Sequence, residues 1–543
     1  MTVDPAKSIP TFYARQNIIL LTGAIRFLEF EYLGISNNKI DYYAQMVMSL
    51  GQGVLCGIRF ISKIIDKMTV DPTKSIPAFY NGQSILLTGA TGFLGKAFIE
   101  KILRSCPGVR EIFLLMRPRR GSNINERLEK ILNLSLYEKL RKERPSNFEK
   151  LIPISGNISE KELGLSVEDK QMLVERVTII IHAAGDVKLS NSLKNAIFAN
   201  TRATRDICIL AQNMKNLIAL VHVSTAFTHV NEPFIREKAY PPVTDWQKII
   251  KMAETLDEHT LNIFTAKFLD YFPNTYIFSK NLAESIIQEY SSSLPCAIIR
   301  PSIVMPSLKE PIPDWIDNIY GPIGLMIGVG KALIRVCCLS KACINIVSVD
   351  IVIKAIIVVT WKLGLTMYDH FIVISFTVNS TLTILNCTSQ KHLTHPDGVK
   401  FFLSIMTDEI PLEGTVWTPN TIVTDNFILF YILTVLLHVL PATLMDLILK
   451  FSGRRPVFLR LQRQLYEANL AVSYFSFHNW KFSNTNSLVL ISSIPSDDRD
   501  TFSFEHIGYD IRGYLKNCTI GFKKFLLYED MNRLDTVRAR SKR

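Results

Sequence analysis

The residues best placed to do chemistry are Tyr276 and Lys280, in the segment Tyr276-Ile-Phe-Ser-Lys280. Four residues is about one helical turn, so both side chains leave the same helix face. An ammonium near a phenol favours the phenolate and makes the tyrosine a better proton shuttle. Upstream, Val223-Ser224-Thr225 closes an apolar run that reads as a buried strand. A hydroxyl at such a strand end can hold a carbonyl oxygen beside Tyr276. The residue types leave Ser224 and Thr225 both open, with Thr225 the first choice. Together these residues suit reduction or oxidation at a carbon–oxygen centre.

A hydride must come from a cofactor, and a second segment supplies its cradle. Ser84-Ile-Leu-Leu-Thr-Gly-Ala-Thr-Gly-Phe-Leu-Gly95 is a short apolar strand running into Gly89, Gly92 and Gly95 and then a helical pattern. That arrangement brings backbone N–H groups and a helix N-terminus to a pyrophosphate. Thr88, Gly89, Thr91, Gly92, Phe93, Leu94 and Gly95 are therefore cofactor-binding candidates, and Lys280 reaches the nicotinamide ribose. Arg117 lies 22 residues beyond Gly95, where NAD-selective sequences place a carboxylate. A guanidinium there suits a 2′-phosphate, which favours NADPH. Asn200 has two readings, a plain helix N-cap or a residue that orders a catalytic water. His182, His222 and His229 lack metal-ligand spacing and read as packing residues, and no metal site is assigned. Either motif alone is a frequent chance match; their occurrence in this chain order is what carries the argument.

The elements that would hold these residues alternate. Ser84–Thr88, Glu111–Arg117, Leu151–Ser155, Val177–Ala184, Leu217–Thr225 and Cys296–Val304 read as strands. Phe93–Arg104, Asn200–Met214 and Tyr276–Tyr290 read as helices. The β-branched run Val177-Thr-Ile-Ile-Ile is typical of a strand buried on both faces. The rhythm predicts an α/β fold, a doubly wound parallel Rossmann sheet, followed by a helical, membrane-associated C-terminal domain. Expected boundaries are 68–360 for the nucleotide-binding reductase domain, 361–425 for a substrate-side segment with a possible apolar insertion near 371–385, and 426–543 for the C-terminal domain.

Two features stand outside that rhythm. Met1–Tyr13 returns as Met68–Tyr80 with 11 of 13 positions identical. In the first copy Arg26 and Glu29 stand where the phosphate loop needs glycine, so residues 1–67 read as a partial duplication, non-functional or a gene-model artefact, with Met68 as the original start; a real targeting or docking extension is the rival reading. The second is Phe427–Leu449, an apolar stretch of about one membrane span. His438, Pro441 and Asp446 interrupt it, and Lys450, Arg454, Arg455 and Arg460 follow it. A span, a bent helix in one leaflet and a packed helical hairpin all remain open.

At 543 residues the chain has room for two or three domains; it is 48% hydrophobic with a net charge of +12. The basic residues are dispersed and form no nucleic-acid motif, so lipid surfaces and the phosphates of nucleotides or CoA are the expected anionic partners. Nine scattered cysteines without C-x-x-C spacing suit a reducing compartment.

These motifs resemble the fatty acyl-CoA reductases, insect-type members of the extended short-chain dehydrogenase/reductase superfamily, over about residues 68–530. Arg300-Pro-Ser-Ile-Val304, Lys309–Asn318 with Gly321-Pro-Ile-Gly324, Asn386-Cys-Thr-Ser389 and Phe475-Ser-Phe-His-Asn-Trp480 add to the likeness. The resemblance implies NADPH-dependent reduction of a long-chain acyl-CoA to a primary alcohol, as a wax, pheromone or ether-lipid precursor. It implies Tyr276 as proton donor, Lys280 on the ribose, and Ser224 or Thr225 on the carbonyl. It also implies an intracellular membrane, endoplasmic reticulum or peroxisome, with the catalytic domain facing the cytosol. Asn157, Gly185 and Ala203 depart from the family's usual residues. Two other readings stay open: a non-catalytic relative that still binds nucleotide or membrane, and a dehydrogenase of sterols or nucleotide sugars.

Overall fold

A computed structural model describes residues 75–534, apart from 119–120, 122, 373–381, 390–392, 416–417 and 506–509. All of these fall in one unit, Val70–Arg543. The expected duplication at 1–67 lies outside the described residues.

Seven strands form the central sheet: β1 (Ser84–Thr88), β2 (Glu111–Met116), β3 (Leu151–Ser155), β4 (Ile179–His182), β5 (Ala219–Val223), β6 (Cys296–Pro301) and β7 (Thr383–Cys387). Their order is β7-β6-β5-β4-β1-β2-β3, and every pairing is parallel. The chain reverses direction across the sheet between β1 and β4, where an open parallel sheet forms its ligand crevice.

Alternate residues of each strand face opposite layers. Ile85, Leu87, Ile179, Ile181 and Val221 pack with helices α1 (Phe93–Ser105) and α3 (Val349–Ile372) on one side. Leu86, Ile180, Leu220 and Ile298 pack with α2 (Thr275–Tyr290) on the other. Both faces are covered, which explains the unbroken apolar runs in the sequence.

The structure differs from the expected elements at informative places. The run expected over Cys296–Val304 splits: β6 ends at Pro301, and Ile303–Met305 leaves the sheet to pair with Ile346–Ser348. The apolar segment before Asn386 supplies a true sheet strand, β7, paired to β6. The expected boundary at 360 falls inside α3, which covers the sheet between β6 and β7 in sequence. The helix expected from Asn200 begins a full two turns earlier, at Leu193, with Ser192 as its N-cap. It passes through a π segment, Ile197–Arg202, before continuing as Ala203–Gln212.

The C-terminal region is helical. Its longest apolar helix, α4 (Phe427–Phe451), has a mean hydropathy of 2.2 and sufficient length and composition to cross a membrane. Within it Val435–Val439 is π-helical. The next helix, α5 (Phe458–Ser476), runs back along it, so that Phe430 stacks on Tyr466 with ring centres 5.8 Å apart.

Candidate active site

The phosphate loop leaves β1 at Thr88 and enters α1 at Gly92. Gly89 has φ +80, and a β-carbon there would lie 2.8 Å from the Ala184 backbone nitrogen. A β-carbon on Gly95 would lie 2.2 Å from the Gly89 carbonyl oxygen. Both positions need glycine, one for its dihedral and one because backbone crosses backbone. Gly92 caps α1 without a side chain, so the first N–H groups of the helix stay available. Such a turn suits a dinucleotide's pyrophosphate, and a side chain at either glycine would collide with neighbouring backbone and distort it. Phe93 and Leu94 open the helix, and Thr91 is half-buried at the mouth of the loop, next to exposed Gly92 and half-buried Phe93.

Thr88 is fully buried and serves the sheet edge. Its hydroxyl meets His182 Nδ1 at 2.8 Å and accepts from the Ala184 N–H. Burial pushes the His182 imidazole down to about 3, with the Lys280 charge adding to it. His222 is lowered for the same reason, and the two neutral rings sit 5.2 Å apart. These histidines are packing groups, in keeping with their lack of ligand spacing.

Asn274 caps α2 by accepting from the Ile277 N–H, which places Tyr276 in the first turn. Lys280 follows one turn on. Its ammonium donates to the Val223 carbonyl at 2.8 Å, at the end of β5. That bond ties the helix to the strand end carrying Ser224 and Thr225. Burial pushes the Lys280 ammonium down to about 8, opposed by Glu284. Burial pushes the Tyr276 phenol up to about 12, and a hydrogen bond with Thr225 pulls partly against it. The expected drift toward phenolate is therefore reversed. The low-dielectric surroundings outweigh the Thr225 hydrogen bond, and the phenol keeps its proton.

The two candidate hydroxyls separate. Ser224 donates to the Glu284 carboxylate, whereas Thr225 faces Tyr276. Asn200 is not an N-cap, because it lies inside the π segment. Its Oδ1 accepts from the Asp186 N–H at 2.8 Å, and its Nδ2 donates to Ser279 Oγ at 2.9 Å, inside α2. A β-carbon on Gly185 would lie 2.9 Å from that Oδ1 and 3.3 Å from Lys280 Nζ. Arg117 is exposed immediately after β2, at the same sheet edge as the glycine loop, and its carbonyl accepts from Arg127.

Sequence reasoning missed Glu284 and the role of Arg300. Burial alone would raise the Glu284 carboxyl, but the Arg300 guanidinium and His229 hold it well below the usual range. Arg300 reaches it at 2.7 Å, and His229 lies 3.1 Å away. The signal was present as spacing: Tyr276, Lys280 and Glu284 recur every four residues on one helix face.

The C-terminal region completes the surroundings. Phe227, two residues beyond Thr225, meets Phe475 and Trp480 edge-on at 5.3 and 5.4 Å. On the cofactor side, Phe93 stacks on Trp315 at 5.2 Å, and Lys96 pairs with Asp317.

Two family models, each described as male sterility protein, match residues 87–356 and 437–529. Fatty acyl-CoA reductase 1 of Pongo abelii is 37% identical over 86% of this chain and 88% of its own length. Fatty acyl-CoA reductase 2 of Mus musculus is 36% identical over 84% and 87%. Among solved structures, the reductase domain of a nonribosomal peptide synthetase from Mycobacterium tuberculosis aligns with a TM-score of 0.55 at 17% identity, over 85% of this chain and 97% of that one. That likeness shows the shared reductase-type fold. With the glycine cradle, the Tyr276–Lys280 helix and relatives of this identity across most of its length, the chain belongs to the fatty acyl-CoA reductase family of oxidoreductases.

Proposed function

We propose that this chain reduces a long-chain fatty acyl-CoA to a primary alcohol and free CoA, using two NADPH and two protons in successive steps. The observation that carries the reading is the convergence of Tyr276, Thr225 and Lys280 at the sheet edge beside the glycine cradle. A bound nicotinamide supplies hydride to the carbonyl carbon. Thr225 orients the carbonyl oxygen toward Tyr276. The neutral phenol of Tyr276 donates its proton to the oxygen as negative charge develops. Lys280 keeps a positive charge near that oxygen and holds the strand end in place through Val223. In the first step the carbon–sulfur bond breaks and the thiol of CoA leaves with a proton. In the second, the aldehyde oxygen takes the proton of Tyr276 and the alcohol forms. Thr88, Gly89, Thr91, Gly92, Phe93, Leu94 and Gly95 would hold the dinucleotide, and Arg117 would pair with a 2′-phosphate. Asn200 acts through Ser279 to position the catalytic helix. The enzyme works at an intracellular membrane, where its substrate and product dissolve, in the making of wax, pheromone or ether-lipid precursors.

The test is to supply purified full-length protein with acyl-CoA and either NADPH or NADH, and to separate products by gas chromatography. Fatty alcohol formed with NADPH and lost in Tyr276→Phe is expected. Arg117→Ala should narrow the preference for NADPH over NADH by about tenfold or more. No product from folded, NADPH-binding protein would overturn the assignment.

A further inference from the structure

Helix α4 has the composition of a membrane span but not the surroundings of one. Phe430, Thr434, His438, Ala442 and Asp446 form a buried stripe at a spacing of four. A straight α-helix would rotate that stripe steadily around its axis; the π segment has more residues per turn and counters the drift. The stripe is bonded to the protein body. His438 Nε2 accepts from the Arg335 N–H at 2.8 Å. The Asp446 carboxylate accepts from the N–H groups of Val457, Phe458 and Leu459, capping α5.

The opposite face is apolar and open. Ile428, Tyr431, Leu436, Leu440, Leu444 and Phe451 are all more than half exposed, Phe451 by 90%. Exposed Lys450, Arg454, Arg455 and Arg460 follow at the C-terminal end. Twenty-five residues make a helix about 37 Å long, enough to cross a bilayer core of about 30 Å. Crossing would carry α5 with it, because the two helices lie side by side. α5 exposes Arg460 together with the Arg463–Glu467 pair, and charges at bilayer depth are costly. Beyond α5 the chain returns to the nucleotide-binding body, where Phe482 pairs with Ile235.

We infer that α4 lies in the plane of one leaflet of an anionic membrane, its outer face among the acyl chains and its following arginines at the headgroups, without crossing. The occupant is lipid, because the open face is apolar along its whole length and ends in a run of unopposed positive charge. The inference rests on the reading that this enzyme works at a membrane.

Two measurements on the full chain test it, and neither needs turnover. In flotation, the protein should rise with phosphatidylcholine vesicles containing phosphatidylserine, and about tenfold less with phosphatidylcholine alone. The double variant Leu444→Glu, Ile448→Glu should stay at the bottom while retaining its circular dichroism and NADPH binding. In sealed cell membranes, Asp425→Cys and Ser452→Cys should both react with an impermeant maleimide from the cytosolic side, above a wild-type blank. A site that reacts only after detergent would show a span and overturn the inference. So would flotation of the double variant at the wild-type level. Failure of the wild type to float, with a dimer in solution, would assign the face to a second copy. Loss of alcohol formation with flotation and labelling intact would strike the reductase reading alone.

Discussion

Ser224 donates its hydroxyl hydrogen to Glu284, a carboxylate two helical turns beyond Tyr276. The bond commits Ser224 to the protein interior and leaves Thr225 as the hydroxyl that meets Tyr276. Thr225→Ala should lower kcat by roughly 100- to 1,000-fold, in the range of a lost oxyanion donor. Ser224→Ala should instead cost about 1.5–3 kcal/mol of stability, through loss of one hydrogen bond to a carboxylate that Thr228 and Arg300 still partner. Steady-state kinetics set beside urea melts separate the two.

Glu284→Gln keeps the shape of the side chain and leaves Arg300 buried without its counter-charge. Removing one partner of such a pair costs about 3–5 kcal/mol. The Glu284 carboxyl is held below its ordinary range, so its contribution is full above the unfolded value of about 4.3 and is lost as pH falls through the depressed one. Urea melts near neutral pH should show the full difference between wild type and variant. The difference should shrink progressively once pH falls below about 4 and vanish in strong acid.

The sheet was legible because its strands are buried on both faces and therefore read as unbroken apolar runs. β7 was harder, since Thr383–Cys387 follows an apolar stretch that breaks the rhythm, and only its pairing with β6 identifies it. The start of the helix holding Asn200 was hidden because π turns leave no compositional mark. Tyr276 and Lys280 were legible through their helical spacing, whereas the state of Tyr276 was not. Burial, which a local motif does not reveal, decides it. Glu284 shares the spacing of the pair, but its partner Arg300 comes from a different element, and only folding brings them together.

Activity should depend on the charge of Lys280. Burial places its titration near 8, and in the proposed mechanism the protonated form is the one that stabilises the developing oxyanion. kcat/KM should therefore fall as pH rises through about 8, while Tyr276, titrating near 12, stays a proton donor throughout. Lys280→Met should remove this limb and most of the activity. A pH profile with saturating cofactor is the check.

Gly95→Ala tests the cradle. Its β-carbon would meet the Gly89 carbonyl oxygen at 2.2 Å, and backbone cannot yield as a flexible side chain can. Affinity for NADPH should drop by at least about tenfold, equivalent to 1.4 kcal/mol. Fluorescence titration of the folded variant measures it.

The aromatic residues Phe475, Trp480 and Phe482 all rest on Phe227, and Ile235 exchanges backbone bonds with Lys481 and Ser483. The aromatic wall two residues beyond Thr225 is thus encoded far downstream of the proposed catalytic residues. Recombining this C-terminal stretch with that of a relative would not exchange one anchor for another. It would recast the surroundings of Phe227 and Thr225, and on the proposed function the range of acyl chains accepted should travel with the stretch rather than with the Rossmann half.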